Sequence, residues 1–230
     1  MFSLTGVERG MKVVGVYPPI RLTNKHSLFL PGLSSVCWNR FGNLVACTRN
    51  KMATIHPSLT EKQTYEPFLN TTAMTFRRGH YYLTYSRIFS EGWVPVLAEL
   101  SGEFKELRVL GNITGAKKLS ASETHIAALL HSAQEVVLYS FETDKMETKK
   151  DKQLINAIDM CFNTDASLLM LTKQAVLCYD VRTSEVAWET PAPEGATTMC
   201  VNNDGYILIL VHCQVPRDHR MIHLMSGEGK

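Results

Sequence analysis

About every 40 residues this chain repeats an apolar strand, a polar turn and a second apolar strand, and that repeat restricts its fold more than any other feature. The fullest copy runs Cys161-Phe162-Asn163-Thr164-Asp165-Ala166-Ser167-Leu168-Leu169-Met170-Leu171, then Ala175-Val176-Leu177-Cys178-Tyr179-Asp180. Val36-Cys37-Trp38, Met74-Thr75-Phe76 and Met199-Cys200-Val201 open further copies, each followed by a polar turn and another apolar run. The anchor before each turn is Trp38, Phe76, Leu119, Phe162 and Val201, at steps of 38, 43, 43 and 39 residues. A marker on the third strand, at His56, Ala98, Tyr139, Tyr179 and Leu224, keeps a similar period. Stepping back from His56 by one repeat reaches Tyr17, so Val13–Tyr17 reads as a sixth strand of this kind.

Short apolar runs bounded by turn-formers such as Asn203-Asp204-Gly205 and Phe41-Gly42-Asn43 are the pattern of antiparallel sheet. No segment carries a sustained helical stripe; Ile126–Leu130 aligns with the strands at Leu44–Cys47 and Leu168–Leu171. One such unit makes a small twisted sheet that cannot cover both its own faces, and radial stacking covers them. The expected fold is all-β: a β-propeller of about five four-stranded blades plus an N-terminal closing strand, within a six- or seven-bladed ring. Residues 1–230 are read as one domain, with blades at 33–69, 70–112, 113–153, 154–195 and 196–228 and the opening strand at 12–17.

The run Val176-Leu177-Cys178-Tyr179-Asp180-Val181-Arg182-Thr183-Ser184-Glu185 resembles the WD40 repeat, with Tyr179-Asp180 standing where that family has Trp-Asp. Val136-Val137-Leu138-Tyr139-Ser140-Phe141-Glu142-Thr143-Asp144-Lys145 is a looser match, and the pattern extends over 12–228. This resemblance implies a protein-binding scaffold. In that family the first strand completes the last blade. Here Met221–Met225 already reads as the last unit's own closing strand, which leaves Val13–Tyr17 in need of partners. Three readings stay open: a fragment of a larger ring, a blade donated by a partner chain, or irregular packing of that strand.

Apolar residues at 45% and charged residues at 20% fit a globular chain and exclude a disordered one. No stretch reaches the length of apolar sequence that spans a bilayer, and Met1–Gly10 has no secretory pattern. Cys37, Cys47, Cys161, Cys178, Cys200 and Cys213 form no CxxC pair and sit in strand-like runs, so all six are expected reduced and in the core. The expected compartment is cytoplasm or nucleus rather than the secretory route.

No metal spacing, phosphate loop or nucleophile elbow is present, so no catalytic residue, cofactor or metal site is assigned. The distinctive polar feature is Arg77-Arg78-Gly79-His80, with Arg40 at the matching turn one repeat earlier. Equivalent turns of a propeller share a face, which places Arg40, Arg77, Arg78 and His80 in one basic patch suited to planar anions. Arg217 and Arg220, in the loop read over Val215–Arg220, are further candidate contacts, whereas Lys145–Lys152 reads as an exposed loop between blades. The expected function is a non-catalytic WD40-like scaffold subunit binding other proteins in a multiprotein complex; on the donated-blade reading one of them completes the ring beside Val13–Tyr17. The alternative is an RNA- or DNA-binding or ribonucleoprotein subunit using the basic face, although a net charge of +2 is small for that role. No membrane partner is expected.

Overall fold

A computed structural model describes residues 33–55, 61–65, 69–90, 92–131, 135–150, 156–202, 204–213 and 219–226. The expected strand at Val13–Tyr17 lies outside these residues. The described residues contain strands and turns and no helix, as the repeat predicts. They fall into two compact units, one ending at Lys150 and the other continuing from Asp151.

The first unit holds three blades, each an antiparallel sheet in which neighbours in sequence are neighbours in space. Blade 1 is β1 (Leu33–Trp38), β2 (Leu44–Thr48), β3 (Met52–Ile55) and β4 (Glu61–Tyr65). Blade 2 is β5 (Leu69–Arg77), β6 (His80–Phe89), β7 (Gly92–Leu100) and β8 (Glu106–Asn112). Blade 3 is β9 (Ala116–Ala121), β10 (His125–Leu130), β11 (Val136–Ser140) and β12 (Lys145–Lys149). The first strands lie side by side, β1 against β5 and β5 against β9. The second unit holds blade 4, with β13 (Asp159–Phe162), β14 (Ser167–Leu171), β15 (Ala175–Asp180) and β16 (Glu185–Pro191). It also holds blade 5, whose described strands are β17 (Ala196–Val201), β18 (Ile207–Cys213) and β19 (His219–Met225). The strand expected to close the last blade is thus its third, β19.

Middle strands are apolar on both faces, and both faces are buried. Ile126 to Leu129 and Leu168 to Leu171 are all almost fully buried. Between blades 1 and 2 the core is Val45, Cys47, Met52, Leu83, Val96 and Phe104; between blades 2 and 3 it is Leu97, Leu119, Ile126, Leu130 and Tyr139. Blades 4 and 5 enclose Leu169, Leu171, Val176, Met199 and Ile209.

The anchors of the repeat lie at or next to the end of the first strand and pair with the first or second residue of the next: Trp38 with Leu44, Phe76 with Tyr81, Phe162 with Leu168, Val201 with Ile207. In blade 3 this place belongs to Ala121, opposite Ile126, and the expected Leu119 sits two residues earlier. The two share a face of the strand, so side-chain size singled out the wrong member of the pair.

Three other expectations are corrected. Lys145–Lys149 is no loop: it is β12, paired along its length with β11. Arg220 is likewise not in a loop but on β19, opposite His212. Cys200 is exposed rather than in the core, since it alternates with buried Met199 on β17.

Blade 2 departs from the repeat in length. Its β6–β7 ladder runs from Tyr81 and Leu100 out to Phe89 and Gly92, whereas the β10–β11 ladder stops at Leu129 and Val136. Ile88, Phe89 and Trp93 stand exposed on that extension.

Candidate functional site

Three turns of blades 1 and 2 build one surface of the first unit. In the β1–β2 turn the Asn39 side-chain oxygen accepts the N–H groups of Phe41 and Asn43, each at 3.0 Å, and Gly42 takes φ +71°. The β5–β6 turn has two residues, Arg78 at φ +51° and Gly79 at φ +84°, between the paired Arg77 and His80. Positive φ at both central positions is the geometry of the tight hairpin whose twist matches its strands. In the β7–β8 turn Ser101 Oγ accepts the N–H groups of Glu103 and Lys105, each at 3.2 Å.

Arg40, Arg78 and His80 line one cleft on this surface and Arg77 directly precedes its β5–β6 turn, but three of the four are already engaged. Arg77 and Arg78 both form ion pairs with Glu123, from the equivalent turn of blade 3. His80 Nδ1 lies 2.5 Å from Glu99 Oε1, and Arg108 Nε donates to Glu99 Oε2 at 2.7 Å. Arg108 also donates to Asp144 at 3.1 Å, and the Tyr139 hydroxyl donates to the same carboxylate. Burial works to raise the Glu99 pKa, but the hydrogen bonds and charges of Arg108 and His80 outweigh it and hold the carboxyl below its usual range. The patch read as basic is therefore largely neutralised within the chain.

Arg40 is different. Its guanidinium lies 4.7 Å from the centre of the Phe41 ring, and among the described residues no carboxylate pairs with it. Its Nη1 comes within 3.9 Å of where a side chain at Gly79 would begin. A cleft of about 460 Å³ opens here, lined by Arg40 and Phe41 from blade 1 and by Phe76, Arg78, His80 and Glu103 from blade 2. Part of its lining is aromatic: Tyr81 meets Phe76 at 4.8 Å with tilted rings, and packs in the same way on Phe104, outside the lining, at 4.9 Å. Phe41 is 71% exposed at the rim. The volume lies in the range of small-ligand and side-chain pockets.

Arg217 lies outside the described residues, and Arg220 belongs to the second unit on β19. Sequence reasoning missed Phe41, Glu103 and the carboxylates that neutralise the arginines. Glu123 was findable, since it occupies in blade 3 the turn that Arg78 occupies in blade 2. Among the described residues no group of three or more His, Cys, Asp or Glu could hold a metal, and no helix is long and apolar enough to cross a membrane.

No protein-family profile matches the chain, and no curated protein matches it by sequence. Solved structures do match it in fold. A protein of unknown function from Bacteroides caccae superposes with a TM-score of 0.61 at 11% identity, over 86% of this chain and 79% of that one. The β-propeller domain of Cps50 (Swd1) from Myceliophteria thermophila gives 0.61 at 12% identity, over 88% and 74%. Hydrazine synthase of Kuenenia stuttgartiensis gives 0.58 at 9% identity, over 84% of this chain and 59% of that one. At these identities the likeness shows the β-propeller fold and nothing of function.

Proposed function

We propose, taking the β-propeller fold as premise, that this chain is a non-catalytic WD40-like scaffold that holds other protein subunits on the turn surface of blades 1 and 2. The observation that carries this reading is the Arg40–Phe41 cleft. It is an open recess with an aromatic lining and one cation that no carboxylate among the described residues pairs with. Rigid strands hold the turns in place, as a binding surface requires. The WD40-like pattern around Tyr179-Asp180 supports the same class, and the sequence carries none of the motifs sought for catalysis. On this reading the protein works in the cytoplasm or nucleus.

Cross-linking mass spectrometry on the native full chain tests the proposal. Lys105, in the β7–β8 turn beside the cleft, should link to recurrent partner proteins, and those links should fall away in an Arg40→Gln, Phe41→Ala variant of unchanged stability. A chain that stays a lone monomer, with links only within itself, overturns it.

The alternative, nucleic-acid binding through the same arginines, draws on the excess of Lys and Arg over residues 1–115, 13 against 7 Asp and Glu. The pairing of Arg77 and Arg78 with Glu123 weighs against it, because paired guanidinium groups release fewer counterions on binding phosphate. Steep salt dependence of binding to RNA or DNA, abolished in Arg77→Ala, Arg78→Ala, would favour this alternative.

A further inference from the structure

We propose that the cleft between blades 1 and 2 receives a single Asp or Glu side chain of a partner protein, with an apolar residue beside it in the partner sequence. The inference rests on the scaffold reading and names what that scaffold grips.

Four arginines of the first unit, Arg77, Arg78, Arg87 and Arg108, pair with carboxylates of the same unit. Arg40 pairs with no carboxylate among the described residues, although it lines a recess. The Phe41 ring lies against one side of its guanidinium and the bare backbone of Gly79 comes close by. A planar fork held in this way loses little freedom when a carboxylate engages it through two parallel hydrogen bonds.

Charge then selects the class of anion. Of the other ionisable groups lining the cleft, Arg78 is committed to Glu123 and His80 to Glu99. Glu103 lines the cleft too, and no described cation pairs with it. The open balance is therefore one guanidinium against one carboxylate. A phosphate monoester, carrying roughly −1.5 to −2 charges at neutral pH, brings more charge than the one guanidinium balances and leaves the excess beside Glu103, whereas a carboxylate of single charge is matched by Arg40. The carboxylate is the better match. Phe41 and Phe76 provide apolar wall next to the fork, which suits an aliphatic neighbour of the acid.

The test uses the full chain and three capped tripeptides: Leu-Glu-Leu, Leu-Gln-Leu and Leu-phosphoserine-Leu. Binding is followed by calorimetry and by the NMR signal of the Arg40 Nε–Hε group. Leu-Glu-Leu should bind saturably and shift that signal. Leu-Gln-Leu should bind about tenfold more weakly or worse, and Arg40→Gln should impose a similar loss, as expected for a charge-assisted pair. Glu103→Gln should strengthen the binding of both anionic peptides and narrow the gap between them. Equal binding of the Glu and Gln peptides, tighter binding of the phosphoserine peptide, indifference to Arg40→Gln, or no saturation into the millimolar range would each overturn the assignment. Partner links at Lys105 that persist while the Glu peptide fails remove the cleft's role and leave the scaffold standing.

Discussion

The carboxylate of Asp159 accepts the backbone N–H of Met199 at 2.9 Å, joining the first strand of blade 4 to the first strand of blade 5. The Thr198 hydroxyl donates to the same oxygen, while the other oxygen accepts the N–H of Met160 at 2.8 Å. In the first unit Ser35 does the equivalent work three repeats earlier: its Oγ accepts the N–H of Met74 at 3.2 Å. Both joints therefore satisfy the backbone of the next blade's first strand with a side chain.

Removing the buried carboxylate should cost more than removing the hydroxyl. Asp159→Ala leaves the Met199 N–H and the Thr198 hydroxyl without this acceptor, and should lose about 2–4 kcal/mol of stability. Ser35→Ala should lose about 1 kcal/mol. Urea unfolding of the two variants measures both.

The Glu99 network makes stability depend on pH. Its folded carboxyl titrates below the unfolded value of about 4.3, so the stabilisation is complete above that value and is lost as pH falls through the lowered folded pKa. Glu99→Gln should therefore lower the melting temperature most at neutral pH. The gap from the native chain should close in acid, as thermal melts across a pH series would show.

Thiol reactivity should follow burial. Burial first, with the nearby Cys47 adding to it, pushes the Cys37 thiol up to about 12, and burial takes Cys47 up to about 11 despite the nearby Thr71 and Ser34 hydroxyls, which act to lower it. In the folded chain at pH 8 a thiol probe should label exposed Cys200 well before either of these. Peptide mapping after timed labelling gives the order.

Gly195 has φ +79°, and a side chain there would collide with the carbonyl oxygen of His212, whose N–H donates to Gly195 O at 2.8 Å. Gly195→Ala should cost at least about 1–3 kcal/mol, the scale of a strained backbone. Thermal unfolding should show blade 5 as the site of damage if amide exchange is followed alongside.

The overhanging β6–β7 hairpin should behave oppositely. Ile88 is 65% and Trp93 54% exposed, and the two face each other across the ladder. Ile88→Thr with Trp93→Thr should leave the melting temperature within about 0.5 kcal/mol equivalents of native, the usual range for surface changes. It should also reduce concentration-dependent self-association seen by light scattering.

The middle strands were legible in the sequence because burial on both faces writes them as unbroken apolar runs, as at Leu168–Leu171. The outer strands were not. β12 reads Lys-Met-Glu-Thr-Lys, with no residue of it fully buried, so no hydrophobic pattern marked it as a strand. The gathering of Arg40, Arg77, Arg78 and His80 followed from the repeat alone. Their neutralisation did not, since Glu123 and Glu99 are 45 and 19 residues from Arg78 and His80, and only the stacking of strands selects such partners. Phe41 and Glu103 escaped notice because a turn residue gains meaning from what faces it.

Arg78 occupies a backbone conformation, φ +51°, that asparagine or glycine adopts with less strain, and it stays there while paired with Glu123. Exchange to glycine would relax the turn but forfeit the pair, and loss of Glu123 would leave the strain without its recompense. Neither position is free to drift alone. Across related chains the two should be inherited as a couple, with Asn-Gly or Gly-Gly turns appearing where the acid 45 residues onward has gone.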